Sequence, residues 1–112
     1  MSEVMIARAR IASGKEDQLR AWFKEMHERE SEVIETLQHE GVYTETAFIQ
    51  SLVNASFLYI YMEAENLETA DEAGDKEEYE IDEEHHKVLR ETLTGDWEEL
   101  ETIGHFTNPS LR

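Results

Sequence analysis

Residues 55–64 constrain the fold more than any other part of this chain. They read ASFLYIYMEA, and both alternating sets of side chains are apolar: Phe57, Tyr59 and Tyr61 on one side, Leu58, Ile60 and Met62 on the other. Side chains on a strand point to opposite faces in turn, so an antiparallel sheet with one wet face shows apolar–polar alternation. A strand that is apolar on both sides must be covered on both sides. The chain's own helices can supply one cover. Left open, the other side would be a sticky patch on a small protein.

The remaining elements fall around this strand. Residues 4–11 read as a first strand, and Ser13-Gly14-Lys15-Glu16 follows as a capping box, a Ser with a Glu three residues on. Leu19, Trp22, Phe23, Met26, Val33, Ile34 and Leu37 then recur at three- and four-residue steps, the stripe of one long helix that stops at Gly41. A second strand over 42–50 is joined to the third by a short hairpin connection. Asp82 caps a second helix carrying Val88 and Leu89 inward, and residues 97–106 form the last strand, closed off by Asn108-Pro109. Between them, 12 of the 22 residues 63–84 are acidic, with Lys76 the only base. A short helix can start near Leu67 but is interrupted at Gly74-Asp75, so a solvated acidic loop is expected over about 65–81.

The order is β-α-β-β-α-β across a single domain, residues 1–112. This is the split βαβ, ferredoxin-like pattern of the α+β class: a four-stranded antiparallel sheet with both helices on one face. Pairing two such sheets face to face covers the second side of the third strand. A homodimer through the sheet face is therefore expected.

Charge narrows the partners. Asp and Glu number 27 against 10 Lys and Arg, a formal net charge of −17, which repels nucleic-acid phosphates and anionic lipid. No run approaches the roughly 18 apolar residues of a membrane span, Met1-Ser2-Glu3 does not open a signal peptide, and Cys is absent. The expectation is a soluble cytoplasmic protein with no nucleic-acid or membrane partner. Its acidic surface suits a saline, halophile-like cytoplasm; the alternative is an acidic face for a basic protein partner.

The element order resembles the dimeric α/β-barrel proteins, the superfamily that includes antibiotic-biosynthesis-type monooxygenases and rhamnose mutarotases. More closely, Ala7-Arg8-Ala9-Arg10-Ile11 with Gly14-Lys15, Glu35-Thr36-Leu37 leading to Tyr43-Thr44-Glu45-Thr46, and Glu80-Ile81-Asp82 before His85 are similar to a family of small proteins of unknown function. The resemblance implies the fold. It brings no particular activity, since the mutarotase-like helix His followed by Trp-Pro is missing.

Two sets of residues are candidates for chemistry. On a wheel of about 100° per residue, Glu30 falls inside the long helix's apolar stripe, where a lone carboxylate must be protonated or paired. His85 falls inside the stripe of the second helix. Both helices pack on one sheet face, so Glu30 and His85 are expected to share a polar pocket beneath them, with Arg8 or Arg10 as Glu30's alternative partners. There His85 could act as acid or base on a small organic molecule, with Glu30 orienting it; the alternative is a structural polar contact. Arg8 and Arg10 share one face of the first strand, and Tyr59 and Tyr61 one face of the third. This set is expected on the dimer side, either as a cross-strand network or as a cleft for an anion or carboxylate. Glu83, Glu84, His85 and His86 are metal-ligand types, but a run of neighbours does not converge on one ion, so neither metal nor cofactor is expected. Two functions remain open: a small-molecule binder or proton-transfer enzyme, and a non-catalytic dimeric module using residues 63–84.

Overall fold

The computed structural model describes residues 2–112. Its strands are β1 (Glu3–Ile11), β2 (Val42–Ser51), β3 (Ser56–Ala64) and β4 (Leu93–Glu99), all paired antiparallel in the order β2-β3-β1-β4. Its helices are α1 (Glu16–Glu28), α2 (Glu30–Glu40), α3 (Leu67–Asp75) and α4 (Glu80–Thr92). This is the ferredoxin-like arrangement, with β3 and β1 at the centre.

Strand parity decides which face the helices take. Ala7, Ala9 and Ile11 of β1 and Leu58 of β3 are buried, and Ile11 and Leu58 pack with Leu19 and Phe23 of α1 and Val88 and Leu89 of α4. Alanines at 7 and 9 leave room for the bulky α1 side chains. At the other end, Val42 and Ala64 pack with Leu37 of α2 and with Leu67 and Ala70 of α3. Leu19 and Leu58 are essentially sealed from solvent, each contributing roughly 2 kcal/mol by burial. Met5 pairs with Met62 and Ala7 with Ile60 on this same side, so the expected floor beneath the helices is present.

The opposite face has no helix over it. Arg8, Arg10, Phe57, Tyr59 and Tyr61 lie there, with Phe48 of β2 opposite Tyr59. The chain after β4 crosses one end of this face. Ser2 Oγ donates to Glu63 Oε2 at 2.6 Å, Arg112 pairs with Glu63 Oε1, and Glu63 is only 2% exposed. Phe106 on the same segment is 95% exposed.

Four expectations are corrected. The long helix is broken at Arg29, whose backbone N–H bonds to both Glu25 O and Met26 O. Neither Pro nor Gly lies at the break; the Arg29 guanidinium there binds Glu25, Glu32 and Glu84 at once. The Ser13 capping box does not form. Gly14 takes φ +78, a left-handed turn conformation that moves Ser13 off the cap position, and Lys15 precedes the first helical residue. The short helix expected near Leu67 forms as α3, capped by Asn66 accepting from the Thr69 N–H and ending at Asp75, but the loop after it shrinks to residues 76–79: α4 begins at Glu80, with Asp82 not at the cap but third after it, accepting from Tyr79 N–H. Finally, β4 occupies Leu93–Glu99 rather than 97–106; past Leu100, which still bonds Ile6 O, the chain leaves the edge of β1.

Candidate functional site between sheet and helices

His85 sits where the wheel places it, on the inner side of α4. Its ring stacks on Trp22 of α1, centroids 6.1 Å apart at 25°, and meets Phe23 edge-on at 6.1 Å. The Trp22 indole N–H donates to His85 Nδ1 at 2.8 Å. Burial, with the positive charge that His86 can carry added to it, pushes the His85 pKa down to about 4. The imidazole is therefore neutral at physiological pH. This corrects the expectation of an acid or base titrating near neutrality.

Glu30 is not its partner. It is exposed at the first turn of α2 and makes no hydrogen bond or ion pair with the described residues. Counting about 100° per residue straight through Arg29 assumed a continuous helix; the break resets the phase and turns Glu30 outward. Neither Arg8 nor Arg10 approaches it, for both lie on the far side of the sheet.

The acidic groups that do enter this layer were missed. Glu40 ends α2, and its Oε2 comes within 3.3 Å of where a Cβ on Gly74 of α3 would stand, a close approach that glycine permits. Burial first, then the charges of Glu45 and Asp82, raises the Glu40 pKa to about 7. Glu45 of β2 pairs with Met62 and so has the parity of the helix-covered face. Its carboxyl is pushed up by crowding protein and by Asp82, although the residue is solvent-exposed, which limits the effect. Asp82 lies one turn before His85 on α4, so the carboxyl group and the imidazole share one helix face. The signal was available in Glu45, a carboxylate in step with Ala47 and Ile49 on an inward strand face.

Neighbouring histidines are tied elsewhere. His86 Nδ1 lies 2.7 Å from Glu77 Oε1, and His39 Nε2 lies 3.0 Å from Glu78 Oε2. Among the described residues, no three His, Asp or Glu side chains converge in a geometry that holds a metal ion.

On the open face, Arg8 and Tyr59 are brought together. Arg8 Nε donates to Glu98 at 2.8 Å and Nη1 to Tyr59 OH at 3.3 Å; Tyr59 OH donates to Gln50 at 2.8 Å. The same guanidinium lies 4.3 Å from the centre of the Phe57 ring. Arg10 instead reaches Asn54 O at 3.3 Å, and Tyr61 lies at the other end beside the C-terminal segment. Arg8 and Arg10 line a cleft of about 820 Å³ that also contains Glu16, Asp96 and Glu98. That cleft is at one end of the sheet, lined by β1, β4 and the β2–β3 connection; Glu40, Glu45 and His85, whose pKa values burial shifts, belong to the layer on the sheet's other face.

The architecture defines a class: a small α+β protein with a ferredoxin-like sheet, helices on one face and the other face open. Residues 2–111 match a family of unknown function, DUF6176, and the chain belongs to that family. Solved structures share the fold at low identity. A dimeric ferredoxin-like protein from an uncultured marine organism aligns with TM-score 0.63 at 9% identity, over 95% of this chain and 100% of that one. An L-rhamnose mutarotase from Formosa agariphila aligns with TM-score 0.61 at 15% identity, over 94% and 99%. A conserved protein from Methanosarcina mazei aligns with TM-score 0.59 at 20% identity, over 89% of each chain. Against a longer Fusobacterium nucleatum protein, provisionally assigned as a monooxygenase, the chain spans 41% of that protein's length. No curated protein sequence is significantly similar to this chain. No helix among the described residues is long and apolar enough to cross a membrane.

Proposed function

We propose that this protein binds a small organic molecule between its sheet and helices and transfers a proton on it. The observation that carries the proposal is Glu40, a carboxyl lifted to about 7 by burial and by Glu45 and Asp82. A base poised near ambient pH is what proton abstraction next to a carbonyl requires, and perturbed carboxyls gather at functional sites. Glu40 takes the acid–base role first expected of His85; His85, neutral, contacts the ligand instead of trading protons with it. The test is exchange of a ketone's α-hydrogens with solvent deuterium, followed by NMR. Exchange should rise with pH around 7 and be lost in Glu40→Gln. Equal exchange in that variant would refute the role.

Self-association through the open face is the second part of the proposal. It is supported by the exposure of Phe48 on that face and by the dimeric state named for the marine ferredoxin-like protein. Arg8, Tyr59 and Tyr61 then serve that interface. Arg8 Nε and Nη1 already bond Glu98 and Tyr59, which favours a cross-strand network over an anion clamp. A cytoplasmic setting rich in salt accords with the net charge of −17.

A further inference from the structure

Trp22 and His85 set the chemistry of this layer through one hydrogen bond. An indole N–H can only donate, so at 2.8 Å the Nδ1 of His85 must present its lone pair. A neutral imidazole carries one ring proton, which leaves it on Nε2. Flipping the ring would set Cδ2–H against the indole N–H and lose the bond. Protonating His85 would bring two N–H donors face to face. Nε2 makes no hydrogen bond with the described residues, and it is not among their sealed, unpartnered polar atoms, so it keeps accessible surface.

We infer that Trp22 locks His85 in the Nε2–H form, so that His85 meets its ligand as a hydrogen-bond donor, and that the ligand offers an uncharged acceptor, a ketone, aldehyde or ester carbonyl. This rests on the proposal that the layer binds a small molecule. The acceptor must be uncharged because Asp82, one turn before His85 on α4 and itself near Glu40 and Glu45, repels anions. A cation would be attracted by those carboxylates but would oppose the Nε2–H. A carbonyl satisfies both, and a hydrogen bond to its oxygen acidifies the adjacent C–H that Glu40 would take. Trp22 is a positioning residue in this scheme, acting only through His85. While the bond holds, Nε2 has no lone pair for a metal ion.

The experiment is long-range ¹H–¹⁵N correlation NMR on histidine-labelled protein at pH 7. His85 should show an unprotonated Nδ1 and a protonated Nε2. In Trp22→Phe the two tautomers should mix. A protonated Nδ1 in the wild type would overturn the inference, and so would a Trp22→Phe spectrum unchanged at His85. If Trp22→Phe does not fold, the wild-type spectrum decides alone. Cyclohexanone, cyclohexanecarboxylate and cyclohexylamine serve as matched probes. The ketone should shift the Nε2 resonance and bind roughly tenfold more tightly than either charged analogue, a difference of about 1.4 kcal/mol. Equal or tighter binding of the carboxylate, or no ketone-induced shift, would overturn the carbonyl assignment. The expected tautomer and ketone shift without deuterium exchange would support this inference while counting against proton transfer.

Discussion

Arg29, in the break between α1 and α2, reaches Glu84 of α4 with an Nη2–Oε2 distance of 2.7 Å. The same guanidinium holds Glu25 at 2.9 Å and Glu32 at 2.8 Å, and the three carboxylates together raise its pKa further. One cation thus fastens three helices over the layer that contains His85. Isolated surface pairs matter little, but a shared, forked network holds geometry. Arg29→Gln should lower Tm by a few degrees, and Arg29→Lys should recover little of it, because an ammonium cannot fork. Thermal melts of the two variants decide; wild-type melting in Arg29→Gln would show that the break needs no clamp.

Opposed pH dependences should be separable at Glu40 and His85. Glu40 goes from an ordinary 4.5 to about 7, so the native state binds the extra proton and stability falls as pH rises between those values. His85 goes from 6.5 to about 4, so the unfolded state binds the extra proton and stability falls as pH drops through that window. Between pH 4.5 and 6.5 the two slopes cancel in the wild type. Glu40→Gln should therefore show stability rising with pH there, and His85→Gln stability falling. At pH 8 Glu40→Gln should gain about 1 kcal/mol, after discounting for solvent screening of a half-buried carboxyl. Urea titrations across pH measure this, and parallel curves for all three proteins would contradict it.

Salt should stabilise the fold. With a net charge of −17, unscreened repulsion acts across the whole molecule at low ionic strength. Raising salt from about 0.02 M to about 1 M shortens the screening length several-fold and should lift Tm by several degrees. A Tm indifferent to salt would mean that the acidic surface is offset locally.

Light scattering in molar salt should give about twice 13.1 kDa. Phe48, 53% exposed and opposite Tyr59 on the open face, is the position to break the pairing without disturbing Arg8. Phe48→Glu should yield a folded monomer, whereas a wild-type monomer under these conditions would sink the interface.

The order of elements was legible because local signals state it: β3 is apolar on both sides, Gly41 adopts the left-handed stop at φ 71, and the α1 stripe is regular. His85 was legible as an inward residue for the same reason. Its chemical state was not, because that depends on Trp22, 63 positions away in sequence, whose apolar bulk reads as packing. Glu30 misled because the wheel carries phase through a helix only if the helix continues, and the Arg29 break depends partly on a contact with Glu84, 55 residues on. Glu45 could have been read from its step with Ala47 and Ile49, but Glu40 becomes unusual only when the fold brings it beside Glu45 of β2 and Asp82 of α4. Substituting the exposed Glu30 by Leu should change stability by no more than about 0.5 kcal/mol.

The strand order β2-β3-β1-β4 governs timing as well as shape. Arg8 of β1 meets Tyr59 at a separation of 51 residues and Glu98 at a separation of 90, whereas α1, α2 and the β2–β3 hairpin need only near neighbours. Folding slows as partners grow more distant along the chain, so insertion of β1 between β3 and β4 is the slow event. On the ribosome, β1 emerges first and must wait longest. Until Leu93–Glu99 arrives, one side of β1 is a bare hydrogen-bonding edge, open to capture by another nascent copy.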